Sequence, residues 1–483
     1  MRLACIGVAL TLGAVSLWLF EFNVLSGGVV AVLSFLLLTL LVGFPSAFSE
    51  ASLSPLSPTL PGSLRSVSRR LEILGWLALV NAIWISSLLS IVAGLLLAGQ
   101  SLISTLPWPA MLPPTYLTVS LLWFSGFHRA VGFASFWATA AVLAFVLKPS
   151  KRAVLTRAAL LAAAASLMLV AALNVALPGG VNPGINYVVE AYWPGCFLPL
   201  LLSLPVLGVG AGMGVLHHHA RGEEDVGFQA TLYPLAVIGL VFLSSMAFFS
   251  GGGASGLVDA ERFALPPVSP LGVFSWWLAS SATLSTRHGL LGRVAVDCLL
   301  CVFTIVSAMG VIGALASASS TIKEELGVGR SGAITLSAAP AATLSLVFTL
   351  FSPWTQLVFL YWWFAGVNIC LVALAEVVAV GWVMGVSRPL KQLNVEATAR
   401  VKRLLDVILR FAATPALLAT ITLTVLSALP HVYLLAQPLT PLTPLPPQDV
   451  SAIFTCSTLA WLSSCFTAAF TLKWAAERRR SKK

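Results

Sequence analysis

Two acids lie inside apolar runs, and they are the side chains best placed to do chemistry. Glu50 closes Phe44-Pro45-Ser46-Ala47-Phe48-Ser49, and Glu376 follows Cys370-Leu371-Val372-Ala373-Leu374-Ala375. An ionisable group at membrane depth is costly, has to be paired or solvated, and marks a route for an ion, a proton or a substrate. Glu50 has two readings: a buried carboxylate held by donors, or a solvated acid at the end of a span. Glu376 serves equally as a functional acid or as a hydrogen-bonding strut between helices.

The second chemical signal is backbone. Leu207-Gly208-Val209-Gly210-Ala211-Gly212-Met213-Gly214 places four glycines in eight residues of an apolar segment. Each glycine costs a helix about 1 kcal/mol relative to alanine. A membrane helix tolerates a break only where the freed N–H and C=O groups are buried in protein or line a cavity. Transporters use such breaks to hold solutes and ions near the midplane. A small-residue face for close helix packing is the other reading.

Other clusters carry less. His217-His218-His219 are consecutive, so their side chains fan around a helix and do not converge on a metal. Cys298 and Cys301, two of seven cysteines, sit in an apolar helix and read as packing. Arg293 and Asp297 are one helical turn apart and read as a local ion pair. No nucleophile–base pair or metal set stands at a workable spacing, so the chain does not read as an enzyme.

The elements that position these residues are membrane spans. The 483 residues are 58% hydrophobic and 9% charged, against about 25% charged in a soluble domain. Apolar runs of about 20 residues recur along the chain. We read twelve, at about 3–22, 29–48, 73–98, 131–147, 153–177, a sixth holding the glycines, 228–249, 290–321, 333–351, 357–386, 403–429 and 450–475. Ser52 to Ser63 reads as a loop, and residues 100–128 as an external loop with an interfacial helix. Only Arg129, Arg262, Arg287 and Arg293 fall on the outer side out of 27 Lys and Arg. That asymmetry puts both termini in the cytoplasm and the chain in the cell membrane. The net charge of +10 is dispersed over short loops, which argues against a nucleic-acid partner. The expected partners are the lipid bilayer and a small-molecule solute; the oligomeric state is not legible.

Several motifs, in order along the chain, resemble the neurotransmitter:sodium symporters. Gly27-Gly28 with Val42-Gly43-Phe44-Pro45 and Glu50 is similar to the second helix of that family. Leu207 to Gly214 resembles its unwound sixth helix, and Glu223-Glu224-Asp225-Val226 the following loop. Glu324-Glu325-Leu326 resembles the end of helix eight, Leu374-Ala375-Glu376 with Trp382 and Gly385 helix ten, and Leu409-Arg410-Phe411 with Pro415 helix eleven. The tail Glu477-Arg478-Arg479-Arg480 is similar too. The resemblance implies an all-α fold of about 12 transmembrane helices. Residues 1–178 would form one five-helix repeat, 179–386 its inverted partner with helices one and six broken, and 387–483 two peripheral helices with a basic tail. It also favours the buried reading of Glu50, held by the broken sixth helix.

The resemblance implies a secondary transporter of an amino acid or similar solute, working by alternating access. Its solute site would be Gly13, Val15, Ser16 and Leu17 on helix one, Ile85 and Leu89 on helix three, Leu207, Gly208, Gly210 and Met213 on helix six, and Gly310 and Ala314 on helix eight. Glu21, Glu50 and Tyr361 are the coupling and gating candidates.

The chain departs from that family at its ion site. Trp18, Gly208, Val237, Met309 and Gly310 stand where the family carries sodium ligands, and none has a side-chain oxygen. Glu21 and Tyr361 stand where the gate has an arginine and an acid, and Leu89 where a tyrosine holds the substrate carboxylate. A hard cation needs several oxygens, and only the backbone of Thr11, Gly13 and Ala14 remains. Sodium is therefore a doubtful cofactor. A proton-coupled or uncoupled transporter, with Glu50 or Glu21 as proton group, and a non-transporting scaffold or sensor are the rival readings.

Overall fold

A computed structural model describes residues 33–34, 36–105, 126–146, 149–177, 210, 243, 283–351, 364–392, 398–427 and 447–481. Most of these are helical, with no strand among the described residues. Seven helices among them are long and apolar enough to cross a membrane.

The second span keeps its helix through Gly43-Phe44-Pro45. A π-helical turn at Thr39–Gly43 leads directly into α1, Phe44–Leu53. Proline lacks an N–H and fits the first turn of a helix, where no partner is needed; Pro45 stands at that position. The helix thus runs past the expected end at Phe48 and carries Glu50 on its last turns. The Ser- and Pro-rich stretch is not all loop, a correction to the sequence reading. It contains α2, Leu60–Val67, whose N-cap Thr59 accepts a hydrogen bond from the Gly62 N–H, with Pro61 in the first turn.

Helix α3, Glu72–Thr105, is the hub. The apolar window Glu72–Ala98 is 83% buried, against 17% for Arg129–Val146 on α4, Gly126–Val146. α3 packs against α2, α4, α6 (Gly289–Leu326), α7 (Arg330–Phe351) and α12 (Pro447–Arg480). α5, Pro149–Val175, lies against α6. At 38 residues, α6 is about 57 Å long and links the two ends of the molecule. It ends at Gly327, whose φ of +63° is the left-handed cap that glycine supplies. Cys298 and Cys301 are exposed on α6, not packed inside as expected. They continue the surface stripe of Leu290 and Val294, one to two turns apart on one face, the pattern of a helix side turned to lipid.

The tenth span is interrupted twice. α8, Cys370–Val378, is flanked by π-turns at Phe364–Ile369 and Ala379–Met384. The short α9, Ser387–Gln392, follows. The eleventh span joins α10, Ala399–Ile408, to α11, Thr414–Ser427, through a π-turn at Leu409–Ala413. Single π-turns are rare and concentrate at functional sites. Those at 39–43, 379–384 and 409–413 pack around α1 and each other, so the irregular backbone is gathered beside Glu50. Arg410 fills part of the offset: its Nε donates to the Gly381 carbonyl at 2.8 Å.

Candidate functional site

The centre of the molecule is built from one amide. Asn81 is fully buried on α3. Its Nδ2 donates to the Gly210 carbonyl at 2.9 Å and to the Asn368 carbonyl at 3.4 Å. Two carbonyl acceptors fix which end of the amide is nitrogen. Asn368 lies in the π-turn before α8. Gly210 has φ +76°, outside the right-handed helical region. A Cβ there would stand 2.9 Å from the Ile369 carbonyl oxygen, so glycine is needed both for the dihedral and for the close approach. At this residue of the glycine stretch the backbone is not α-helical; the rest of the 207–214 window lies outside the described residues.

The two acids come together. Glu50, 3% exposed on α1, and Glu376, fully buried on α8, interact electrostatically across the packed α1–α8 contact. Both Glu376 carboxyl oxygens are without a hydrogen-bond partner among the described residues. Glu50 is thus buried, as the transporter reading expects. Its proposed donors around Gly208 and Gly212 lie outside the described residues.

Ile85 and Leu89 follow Asn81 at one-turn intervals on α3, which places all three on one face. Leu89 is buried and Ile85 half-buried. Gly310 and Ala314, also one turn apart, are buried on α6, which packs on α3. Leu89 and Ala314 belong to one apolar cluster, with Ile85 against it. The remaining expected positions, Thr11, Gly13, Ala14, Val15, Ser16, Leu17, Glu21, Leu207, Gly208, Met213 and Tyr361, lie outside the described residues, as do His217 to His219. Arg293 and Asp297 pair at 3.9 Å, as their spacing predicts.

Met309 and Gly310, the positions where the resemblance implies sodium ligands, are buried on α6, and neither offers a side-chain oxygen.

An ionic knot, missed by the sequence reading, closes one end of the core. Glu72, fully buried at the start of α3, pairs with Arg65 of α2 at 3.1 Å and with Arg480 of α12. Glu325, at the end of α6, pairs with Arg65 at 3.3 Å and Arg480 at 3.6 Å, and accepts from the Thr59 hydroxyl at 2.5 Å. Arg479 donates to the Glu324 and Glu325 carbonyls, both at 3.2 Å. Its guanidinium fills the space that a side chain on Gly327 would occupy. Glu72 and Arg480 carried one local signal, a charge where an apolar span begins or ends.

No protein-family profile and no curated protein matches the sequence. The fold does have a solved counterpart. The crystal structure of MhsT in complex with L-phenylalanine matches at a TM-score of 0.69, covering 88% of this chain and 97% of that one. The chain has the fold of MhsT. Sequence identity is 16%, so the match carries the architecture, an all-α polytopic membrane protein. The sequence expectation of that fold class is met.

Proposed function

We propose that the chain is a secondary transporter of a small solute of the amino-acid class, and a divergent relative of the neurotransmitter:sodium symporters. The observation that carries this reading is the fold shared with MhsT, a transporter solved with L-phenylalanine bound. The non-helical glycine at position 210, buried against the π-turn at 364–369, supports it: freed backbone inside a bundle is what a midplane solute site needs. The solute would lie among Gly210, the α3 face of Ile85 and Leu89, and the α6 positions Gly310 and Ala314, completed by helix one. Leu89 offers no hydrogen bond to a carboxylate, so backbone N–H groups of the broken helices would hold the polar end and the aliphatic lining the apolar one.

Reconstitution of the full chain into liposomes, with uptake of radiolabelled L-phenylalanine and a panel of neutral, acidic and basic amino acids, tests the reading. Saturable uptake of at least one neutral amino acid is expected. Binding and uptake of none of them would favour the scaffold or sensor reading.

Glu50 and Glu376 favour proton coupling over sodium coupling as a second element of the proposal. Two ionised carboxylates facing each other in a buried site repel, and one proton between them relieves the repulsion. A pair that takes up that proton in one conformation and releases it in another would couple solute movement to pH. Uptake driven by an imposed inward proton gradient, with sodium absent, tests this part alone.

A further inference from the structure

We propose that the outer face of α10 and the adjoining end of the tenth span form a binding site for one anionic phospholipid. The argument starts from spacing. Arg400, Leu404 and Val407 follow one another at four and three residues, which places them on one face of α10; Phe411 stands in the π-turn that continues the helix. Arg400 is exposed, and Leu404, Val407 and Phe411 are 59%, 47% and 68% exposed. Arg403 is exposed one turn before Val407. The face therefore reads from cationic at its start to apolar and then aromatic at its end.

Its dimensions are those of half a bilayer. Eleven residues of helix span about 16 Å, and one leaflet of the hydrocarbon core is about 15 Å deep. The far end is closed by an aromatic shelf. The rings of Phe411 and Trp382 meet edge to face with centroids 6.3 Å apart, and Trp382 is itself 53% exposed. Arg410 fixes that shelf from behind. It lies over the Trp382 ring at 5.7 Å, donates to the Gly381 carbonyl and pairs with Asp406 at 3.0 Å, so its charge is already neutralised.

Arg400, Lys402 and Arg403 on α10, and Arg388 and Lys391 on α9, make no ion pair among the described residues. Arg388 and Lys391 are exposed as well. Five cations at the membrane end of two spans, with no ion pair among the described residues, suit an anion. A soluble polyanion would satisfy the charges and leave Leu404, Val407 and Phe411 uncovered. A neutral lipid would cover the apolar stripe and leave the charges. A phospholipid with a net negative headgroup does both, its phosphate between Arg400 and Arg403 and one acyl chain along the stripe to the Trp382–Phe411 shelf.

Native mass spectrometry of the full chain in detergent, with phosphatidylglycerol and phosphatidylcholine offered in competition, tests the site. Phosphatidylglycerol retention is expected to exceed phosphatidylcholine retention by at least tenfold. Each cation near the surface contributes about fivefold to anionic-lipid affinity, so Arg400→Gln with Arg403→Gln should remove most of the preference. The pair Arg400→Lys and Arg403→Lys should retain it. All four substitutions are at exposed positions, and melting without lipid should match the parent chain. Equal retention of the two lipids by the parent chain, or an undiminished preference in the double glutamine variant, overturns the proposal. Equal stabilisation by free sn-glycerol 3-phosphate also overturns it, because the stripe would then contribute nothing.

Discussion

Asn81 and Gly210 are joined by a 2.9 Å hydrogen bond from the buried side chain of one to the non-helical carbonyl of the other. The bond ties the buried hub helix to the glycine stretch. The same nitrogen reaches Asn368, so one side chain sets the distance between three separate pieces of chain. Asn81→Ala would leave both carbonyls without this donor. Interhelical hydrogen bonds in membranes contribute roughly 0.5–2 kcal/mol. A loss of about 1 kcal/mol in unfolding stability is expected, with a larger proportional loss of solute binding. Asn81→Asp should be worse, since an acceptor then faces two acceptors. Detergent unfolding curves and equilibrium solute binding check both.

Gly210→Ala should be harsher than any conservative change at Ile85 or Leu89. Alanine at φ +76° is strained, and its methyl group would meet the Ile369 carbonyl oxygen at 2.9 Å. Strain of this kind costs about 1–3 kcal/mol. The expected outcome is a folded protein with transport reduced at least tenfold, measured by uptake and by melting temperature side by side.

The paired acids separate by substitution. Glu376→Gln supplies a neutral group of the same shape, and stability should stay within about 1 kcal/mol of the parent chain. Glu50→Gln should also fold but transport poorly, and Glu50→Ala should lose more, by stranding the backbone donors that the transporter reading assigns to it. If one proton is shared, Glu376→Gln should flatten the pH profile of uptake while leaving solute affinity at a fixed pH within a few fold. An unchanged pH profile in that variant removes Glu376 from the coupling scheme.

The knot at the end of the core predicts a large effect of a small change in the tail. Arg480→Ala leaves Glu72 buried with only the half-exposed Arg65 beside it. Removing one partner of a fully buried pair costs about 3–5 kcal/mol; with Arg65 retained, about 1–3 kcal/mol is expected. Replacing Glu72 by Gln in the same chain should recover part of it. Thermal melts of the two single variants and the double variant read this directly, as a double-mutant cycle.

Sodium should matter little. With Met309 and Gly310 in place of oxygen donors on α6, exchanging sodium for potassium or choline at constant pH and ionic strength is expected to shift solute binding by less than about twofold. Saturable sodium dependence would instead point to Ser16 or Ser307 as an unrecognised ligand.

Much of the helical framework could be read from local pattern. The long apolar runs located both ends of α3 to α7 to within seven residues, because membrane depth sets a length that composition reports. The pairing of Arg293 with Asp297 followed from spacing alone. What local pattern missed was built from distant pieces. Asn81 looked like an ordinary polar residue in an apolar run because its acceptors lie 129 and 287 residues away. Residues 52–63 read as a loop because serine and proline are turn-formers; Thr59 and Pro61 turned the same composition into a helix start. Cys298 and Cys301 misled for another reason. Apolar character does not distinguish a helix face buried in protein from one turned to lipid.

The bond between Glu72 and Arg480 has a consequence in time. The two residues stand 408 positions apart, and ribosomes add about 5–20 residues per second. After the hub helix has been made, roughly 20–80 s pass before its buried acid can meet that partner. Through that interval Arg65, seven residues away and paired with Glu72 in the finished fold, can already hold it. Arg65 is therefore the residue whose loss should harm assembly more than it harms the finished protein, visible as a lower yield of chains that melt close to normally.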